Sequence, residues 1–232
     1  MFKGIGIQAQ YTYLALDLFC ILGPLLLSFD KRVAFFRLWK HWLIATLPIS
    51  IFYLIWDVIF TKNGIWSFNS DYLIGLEWSQ LPLEEWMFFL VVPYASVFIY
   101  ECLIQYFPAF NTRIKRETLA WQLLAIAAFT MAIWNFQQWY TFVTFGLLGL
   151  CLALLQFSRL RLKSLLIAWL ICLIPMAMVN GVLTSLPVVI YNNSENLSFR
   201  LGSIPFEDFF YHLLYMAAIL GLYESQLKRQ EF

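Results

Sequence analysis

The sequence predicts an all-α transmembrane fold: a seven-helix bundle built from two parallel three-helix repeats plus a connecting helix. Three observations predict it. The 232 residues are 62% hydrophobic and only 12% charged, with a mean hydropathy of +0.72, whereas a soluble domain carries roughly 25% charged residues. The apolar residues fall into seven stretches close to the length that a bilayer core requires, about 20 residues per helix. The chain also matches itself, through its polar residues, at a displacement of 123 positions.

The spans run over 11–29, 42–60, 82–106, 118–134, 139–157, 164–183 and 205–224. The fourth and fifth are separated only by NFQQ, Asn135 to Gln138. Basic residues set the orientation. Lys31, Arg32, Arg37 and Lys40 follow span 1, Arg113, Lys115 and Arg116 follow span 3, Arg159, Arg161 and Lys163 follow span 5, and Lys228 and Arg229 lie after span 7. Only Lys3, Lys62 and Arg200 lie on the opposite side. Twelve against three is a positive-inside pattern. It places the chain in the cytoplasmic (inner) membrane with its N-terminus outside and its C-terminus in the cytoplasm. The first ten residues show no signal-peptide cleavage pattern and lead into a span. A net charge of +1 implies no nucleic-acid partner. Cys20, Cys102, Cys151 and Cys172 are scattered through apolar spans without CxxC or CxxH spacing, so they read as packing residues and neither a disulfide nor a metal site is expected.

At the displacement of 123, Pro82 meets Pro205, Glu84 meets Glu207, Glu85 meets Asp208, Tyr100 meets Tyr223 and Glu101 meets Glu224. Asn69 meets Asn192, and Asp57 meets Asn180. Spans 1–3 thus correspond to spans 5–7. The expected units are residues 1–110, a connecting span at 111–135, and residues 136–232. A shift of four spans preserves direction, so the repeats are parallel and related by an axis near the membrane normal.

Each unit carries one unusual motif at the start of its last span: PLEE (82–85) and PFED (205–208). One such motif reads as helix punctuation, since proline suits the first turn and an acid there complements the helix dipole. Capping needs only one acid, however, and here the acids are doubled and recur in both units, with Asp57 at the same level. Acids within membrane spans are costly and mark functional sites. Burial disfavours the charged carboxylate, and neighbouring carboxylates resist ionising together. Such a pair holds a proton at neutral pH and is a general acid for an apolar substrate. Protonating a carbon–carbon double bond creates a carbocation, which aromatic faces stabilise. Trp66, Phe68, Trp78, Trp86, Tyr94 and Tyr191 are the candidates near the outer face.

Glu84, Glu85, Glu207 and Asp208 are therefore the candidate acid–base residues. Asp57, Asn180, Asp17 and His212 are candidates for support or proton relay. His212 follows Asp208 by four residues, on the same helix face, and a purely structural bond to a neighbouring carboxyl accounts for it equally well. Asp17, in span 1, meets Tyr140 rather than an acid at the common displacement.

A duplicated Pro-x-Glu-Glu/Asp motif opening two membrane helices in so small a chain resembles the integral-membrane lycopene cyclase family. That family occurs as two small heterodimeric subunits in some bacteria and as a fused chain in others, in archaea and in fungi. PLEE and PFED carry the resemblance and WDVIFTKNGIWSFN (56–69) supports it. It implies a lycopene β-cyclase, an isomerase-class intramolecular lyase that turns acyclic lycopene ends into β-ionone-type rings without net redox change and without a cofactor. It implies a lycopene-type polyene as substrate, surrounding membrane lipid, and contact with other carotenoid enzymes. By motif position Glu84, Glu85, Glu207 and Asp208 become its acid and base residues, so Glu84→Gln and Glu207→Gln are each expected to cripple cyclisation. Asn180 stands where the first half has Asp57, which points to divided roles.

Other readings compete. A retinal-binding protein needs a lysine within a span, and no span contains one. GIGIQA (4–9) imitates a dinucleotide fingerprint without the strand–helix context it requires. A prenyltransferase would show DDxxD-like spacing. A hydratase acting on the same cation, and a proton-coupled transporter using the same buried acids, remain open at this level.

Overall fold

The computed structural model describes residues 9–227. Lys3, Lys228 and Arg229 of the charge pattern, and most of GIGIQA, lie outside these residues. Seven α-helices are described: α1 (Thr12–Leu27), α2 (Trp39–Lys62), α3 (Leu83–Tyr106), α4 (Glu117–Trp134), α5 (Trp139–Leu155), α6 (Leu162–Ser185) and α7 (Phe206–Gln226). Each coincides with an expected span to within three residues at either end. Four of them, α2, α3, α4 and α6, are long and apolar enough to cross a bilayer by themselves. The 16-residue α1 and 17-residue α5 are apolar but short. The chain is an all-α membrane protein.

Packing follows the repeat. α1 lies on α3 as α5 lies on α7, and α2 packs on α7 as α6 packs on α3, so the last helices of both units cross at the centre. The connecting helix α4 lies against α5. Close approach is secured by small residues, as in membrane bundles generally. A Cβ at Gly149 would sit 2.9 Å from the Phe129 ring, and one at Gly221 would sit 2.5 Å from Leu155 Cδ2. In α3, Pro93 has no N–H to give, which leaves the carbonyl of Phe89 free. Ser50 of α2 (2.8 Å) and Tyr215 of α7 (2.7 Å) donate to it instead, tying three helices together.

The loops before α3 and α7 are copies of each other. Each contains a short strand, an asparagine-capped 3₁₀ turn and a two-stranded hairpin ending in proline. The Asn69 side chain accepts from the Asp71 N–H (3.0 Å) and Asn192 from that of Ser194 (3.1 Å). The hairpin β2 (Glu77–Trp78) with β3 (Leu81–Pro82) turns through Ser79 and Gln80, both at positive φ (54° and 71°), the backbone a tight two-residue turn demands. The hairpin β5 (Arg200–Leu201) with β6 (Ile204–Pro205) turns through Gly202.

The two loops also pair with one another. β1 (Trp66–Phe68) lies antiparallel to β4 (Val189–Tyr191), with Trp66 opposite Tyr191, Ser67 opposite Ile190 and Phe68 opposite Val189. Under the 123-residue repeat Trp66 becomes Val189 and Phe68 becomes Tyr191. The register therefore maps onto itself by a twofold axis through Ser67 and Ile190, and the parallel repeats meet in a shared ribbon.

Candidate functional site

Beneath this ribbon lies an aromatic-lined cavity of about 100 Å³. The ribbon supplies Trp66, Phe68, Val189 and Tyr191, the alternate residues that face one way. The walls come from α1 (Tyr13), α3 (Glu85, Phe88), α5 (Tyr140), α6 (Met176, Asn180) and α7 (Asp208, Tyr211, His212), with Asp57 of α2 at one end. Both halves of the chain build one site.

Adjacent acids in a helix point about 100° apart, and each motif is split accordingly. The first acid turns away from the cavity. Glu84 Oε1 accepts from the backbone N–H of Ile74 at 2.7 Å. Glu207 Oε1 accepts from that of Leu197, the repeat equivalent, at 2.8 Å and from the Thr141 hydroxyl at 2.6 Å. Both side chains are fully buried, and their Oε2 atoms have no partner. Each ties the preceding loop to the first turn of its helix.

The second acid lines the cavity. Glu85 Oε2 accepts from the Tyr13 hydroxyl at 2.5 Å, and the Glu85 carboxyl is in contact with that of Asp57. Asp57 Oδ1 takes the Trp66 indole N–H (2.5 Å) and, more loosely, the Thr61 hydroxyl (3.4 Å), while Oδ2 has no N–H or hydroxyl donor. Two carboxyls hydrogen-bond only when one of them carries a proton. Asp208 is placed differently. Its Oδ1 accepts from Tyr140 (2.7 Å) and its Oδ2 from Tyr191 (3.0 Å) and the Asn180 amide (3.1 Å). Burial, and then the neighbouring Asp208, hold the Tyr191 phenol well above its ordinary range, so it stays a donor. No ion pair is formed by any of these acids among the described residues.

Of the six aromatic candidates, three reach the cavity. Trp66 and Tyr191 meet edge-on at 6.1 Å between centroids, and Tyr191 stacks on Tyr140 at 5.9 Å. Phe68 lines the wall. The other three are elsewhere. Trp78 and Trp86 stack on each other at 4.4 Å, at the β2–β3 hairpin and away from the cavity. Tyr94 lies three turns down α3, hydrogen-bonded to Ser28 (2.6 Å) and to the Trp39 indole (2.9 Å). His212 lines the cavity, and its Nε2 pairs with Ser96 of α3 (3.2 Å) rather than with Asp208. Asp17 is buried one turn deeper than Tyr13.

Tyr13, Tyr140, Tyr211 and Tyr215 also line the site and were not singled out by sequence reasoning. Tyr211 packs edge-on against Tyr53 and obliquely on Trp56, both at 4.9 Å. A signal for two of them existed. Tyr13 and Tyr140 make the same bond, to Glu85 and to Asp208, yet stand 127 residues apart, not 123. A four-residue slip between spans 1 and 2 hid the match, and the deeper Asp17 corresponds to Thr144 rather than to Tyr140.

The family model described as Lycopene cyclase matches residues 10–103 and 137–225, most of the chain and both halves of the cavity. The chain belongs to the lycopene cyclase family. A bifunctional lycopene cyclase/phytoene synthase of Arthroderma gypseum is 32% identical over 77 residues, which is 33% of this chain. The match covers only 13% of that relative's length. No solved structure matches this cyclase-family chain.

Proposed function

We propose that the protein is a lycopene cyclase that forms β-ionone-type rings at lycopene ends, giving γ- or β-carotene, by proton addition, ring closure and proton loss. The observation that carries this reading is a single aromatic-lined cavity flanked by two differently served acids, one from each half. Glu85 and Asp57 share a proton and supply it to the terminal double bond. The cation formed there is attacked by the next double bond in reach, which closes the ring and moves the charge onto a ring carbon. Asp208, held as a carboxylate by three neutral donors, offsets that charge and takes the proton that leaves. Pre-oriented groups of this kind act strongly in a site without bulk water. Trp66, Tyr140, Tyr191 and Tyr211 present ring faces and edges to the cation. One proton enters and one leaves, so no redox partner is needed.

On this reading the chain sits in the cytoplasmic membrane with its N-terminus outside, the orientation that its basic residues favour, and the cavity faces the outer half. The repeats, residues 1–110 and 136–232, form one active site between them with 111–135 as connector, instead of one site each. Expression in a lycopene-accumulating bacterium followed by chromatography of the pigments tests the assignment. Monocyclic or bicyclic carotene is expected. Unchanged lycopene, with the protein present in the membrane, would overturn it.

A further inference from the structure

Behind the Glu85–Asp57 pair lies a second pair of carboxyls that the proposed chemistry does not use. Asp17 of α1 is 1% exposed and Glu84 of α3 is fully buried. Asp17 Oδ2 and Glu84 Oε2 both lack a hydrogen-bond partner, and the two groups interact electrostatically. A buried carboxylate oxygen without a donor is costly. A proton on Asp17 removes that cost at its own orphan oxygen. In the other half the equivalent of Asp17 is Thr144, whose buried hydroxyl also has no partner. Here an acid stands in that position, and an acid can do what a threonine cannot, which is give its proton away. The groups facing Asp17 are Glu84, Glu85, Tyr13 and Cys20, and none of them is basic.

We infer that Asp17 is the residue that reloads the proton donor: after Glu85 has protonated the polyene, Asp17 passes its proton to the Glu85 carboxylate. This rests on the reading of Glu85–Asp57 as donor. The balance closes. Glu85 loses one proton to the substrate and regains one from Asp17, a proton drawn from bulk water restores Asp17 between turnovers, and the proton released from the ring passes through Asp208 back to water. Asp17 does not touch the substrate. It is a positioning and supply residue, acting between turnovers.

The test uses the full chain in liposomes loaded with lycopene, counting rings formed per protein over time. Asp17→Asn keeps the size and polarity of the side chain but has no dissociable proton. Its first ring should form within about twofold of the wild-type rate, and later turnovers should slow by about tenfold or more, the scale of a lost acid–base group. Asp17→Glu should restore steady turnover, whereas Asp17→Thr, which copies Thr144, should show the same burst and stall. Equal steady-state rates for Asp17→Asn and wild type would overturn the inference while leaving the cyclase reading intact. Loss of the first turnover together with the later ones would overturn it in favour of a structural role. Absence of any ring from the wild-type protein would instead bring down the cyclase reading, and this inference with it.

Discussion

PLEE and PFED are copies in sequence, and their first acids are copies in structure: Glu84 binds the Ile74 N–H, Glu207 the Leu197 N–H, and each pins a loop. The second acids part company. Glu85 meets another carboxyl, Asp57, where Asp208 meets an amide, Asn180, and two phenols. Two differences between the repeats, Asp57 against Asn180 and Phe68 against Tyr191, leave Glu85 beside a carboxyl and give Asp208 two further donors. In the proposed function these two surroundings are the acid end and the base end of one cavity. A reaction that adds and then removes a proton calls for that asymmetry, which neither half has by itself.

Mutations can break this comparison at three places. The largest effect is expected at the donor. Glu85→Gln cannot give a proton, and cyclisation in a lycopene-accumulating host should fall by at least about 100-fold, with protein in the membrane unchanged. Activity within a few-fold of wild type would remove Glu85 from the mechanism. An intermediate effect is expected from erasing the difference between the halves. Asp57→Asn makes the first half resemble the second, and Asn180→Asp does the reverse, leaving Asp208 facing an acid instead of an amide donor. Each should lower the rate by about tenfold or more, the scale of a lost or opposed hydrogen bond to a charged group. If Asn180→Asp is silent while Asp57→Asn is severe, Asp208 does not work as an anion. The smallest effect is expected at Glu84→Gln, which keeps the acceptor for Ile74. Its rate should stay within about threefold of wild type, as for an exchange that preserves the hydrogen bond. Expression and thermal stability of the membrane protein would report any change in the loop. This departs from what the motif suggests by itself, namely that Glu84 and Glu207 are as critical as their neighbours.

The span pattern and the repeat could be read directly because hydrophobic length and polar coincidence are properties of the chain. Helices α1 to α7 fall on the expected spans, and Asn69 and Asn192 do cap equivalent turns. The acids were legible as a group, because carboxyls are rare in apolar spans and these recur. Their division was not. Glu84 and Glu85 differ by one position, and which of them meets the cavity depends on where the loop and α1 lie. Tyr13 escaped notice because α1 and α5 enter the bundle one helical turn out of step, so a gapless comparison paired Asp17 with Tyr140.

Composition, periodicity and duplication therefore determined that this is a seven-helix membrane protein with paired acids at two equivalent helix starts. Those features act locally or by simple counting, and no neighbour can change them. Only the tertiary structure decided that both acid sites open on one cavity, that Trp66, Phe68 and Tyr191 belong to it, and that Trp78, Trp86 and Tyr94 do not. Membership in a site depends on how strands β1 and β4 register against each other and on which face each helix turns to its neighbours. Those contacts join residues more than a hundred positions apart, and the spacing of residues along the chain carries no record of them.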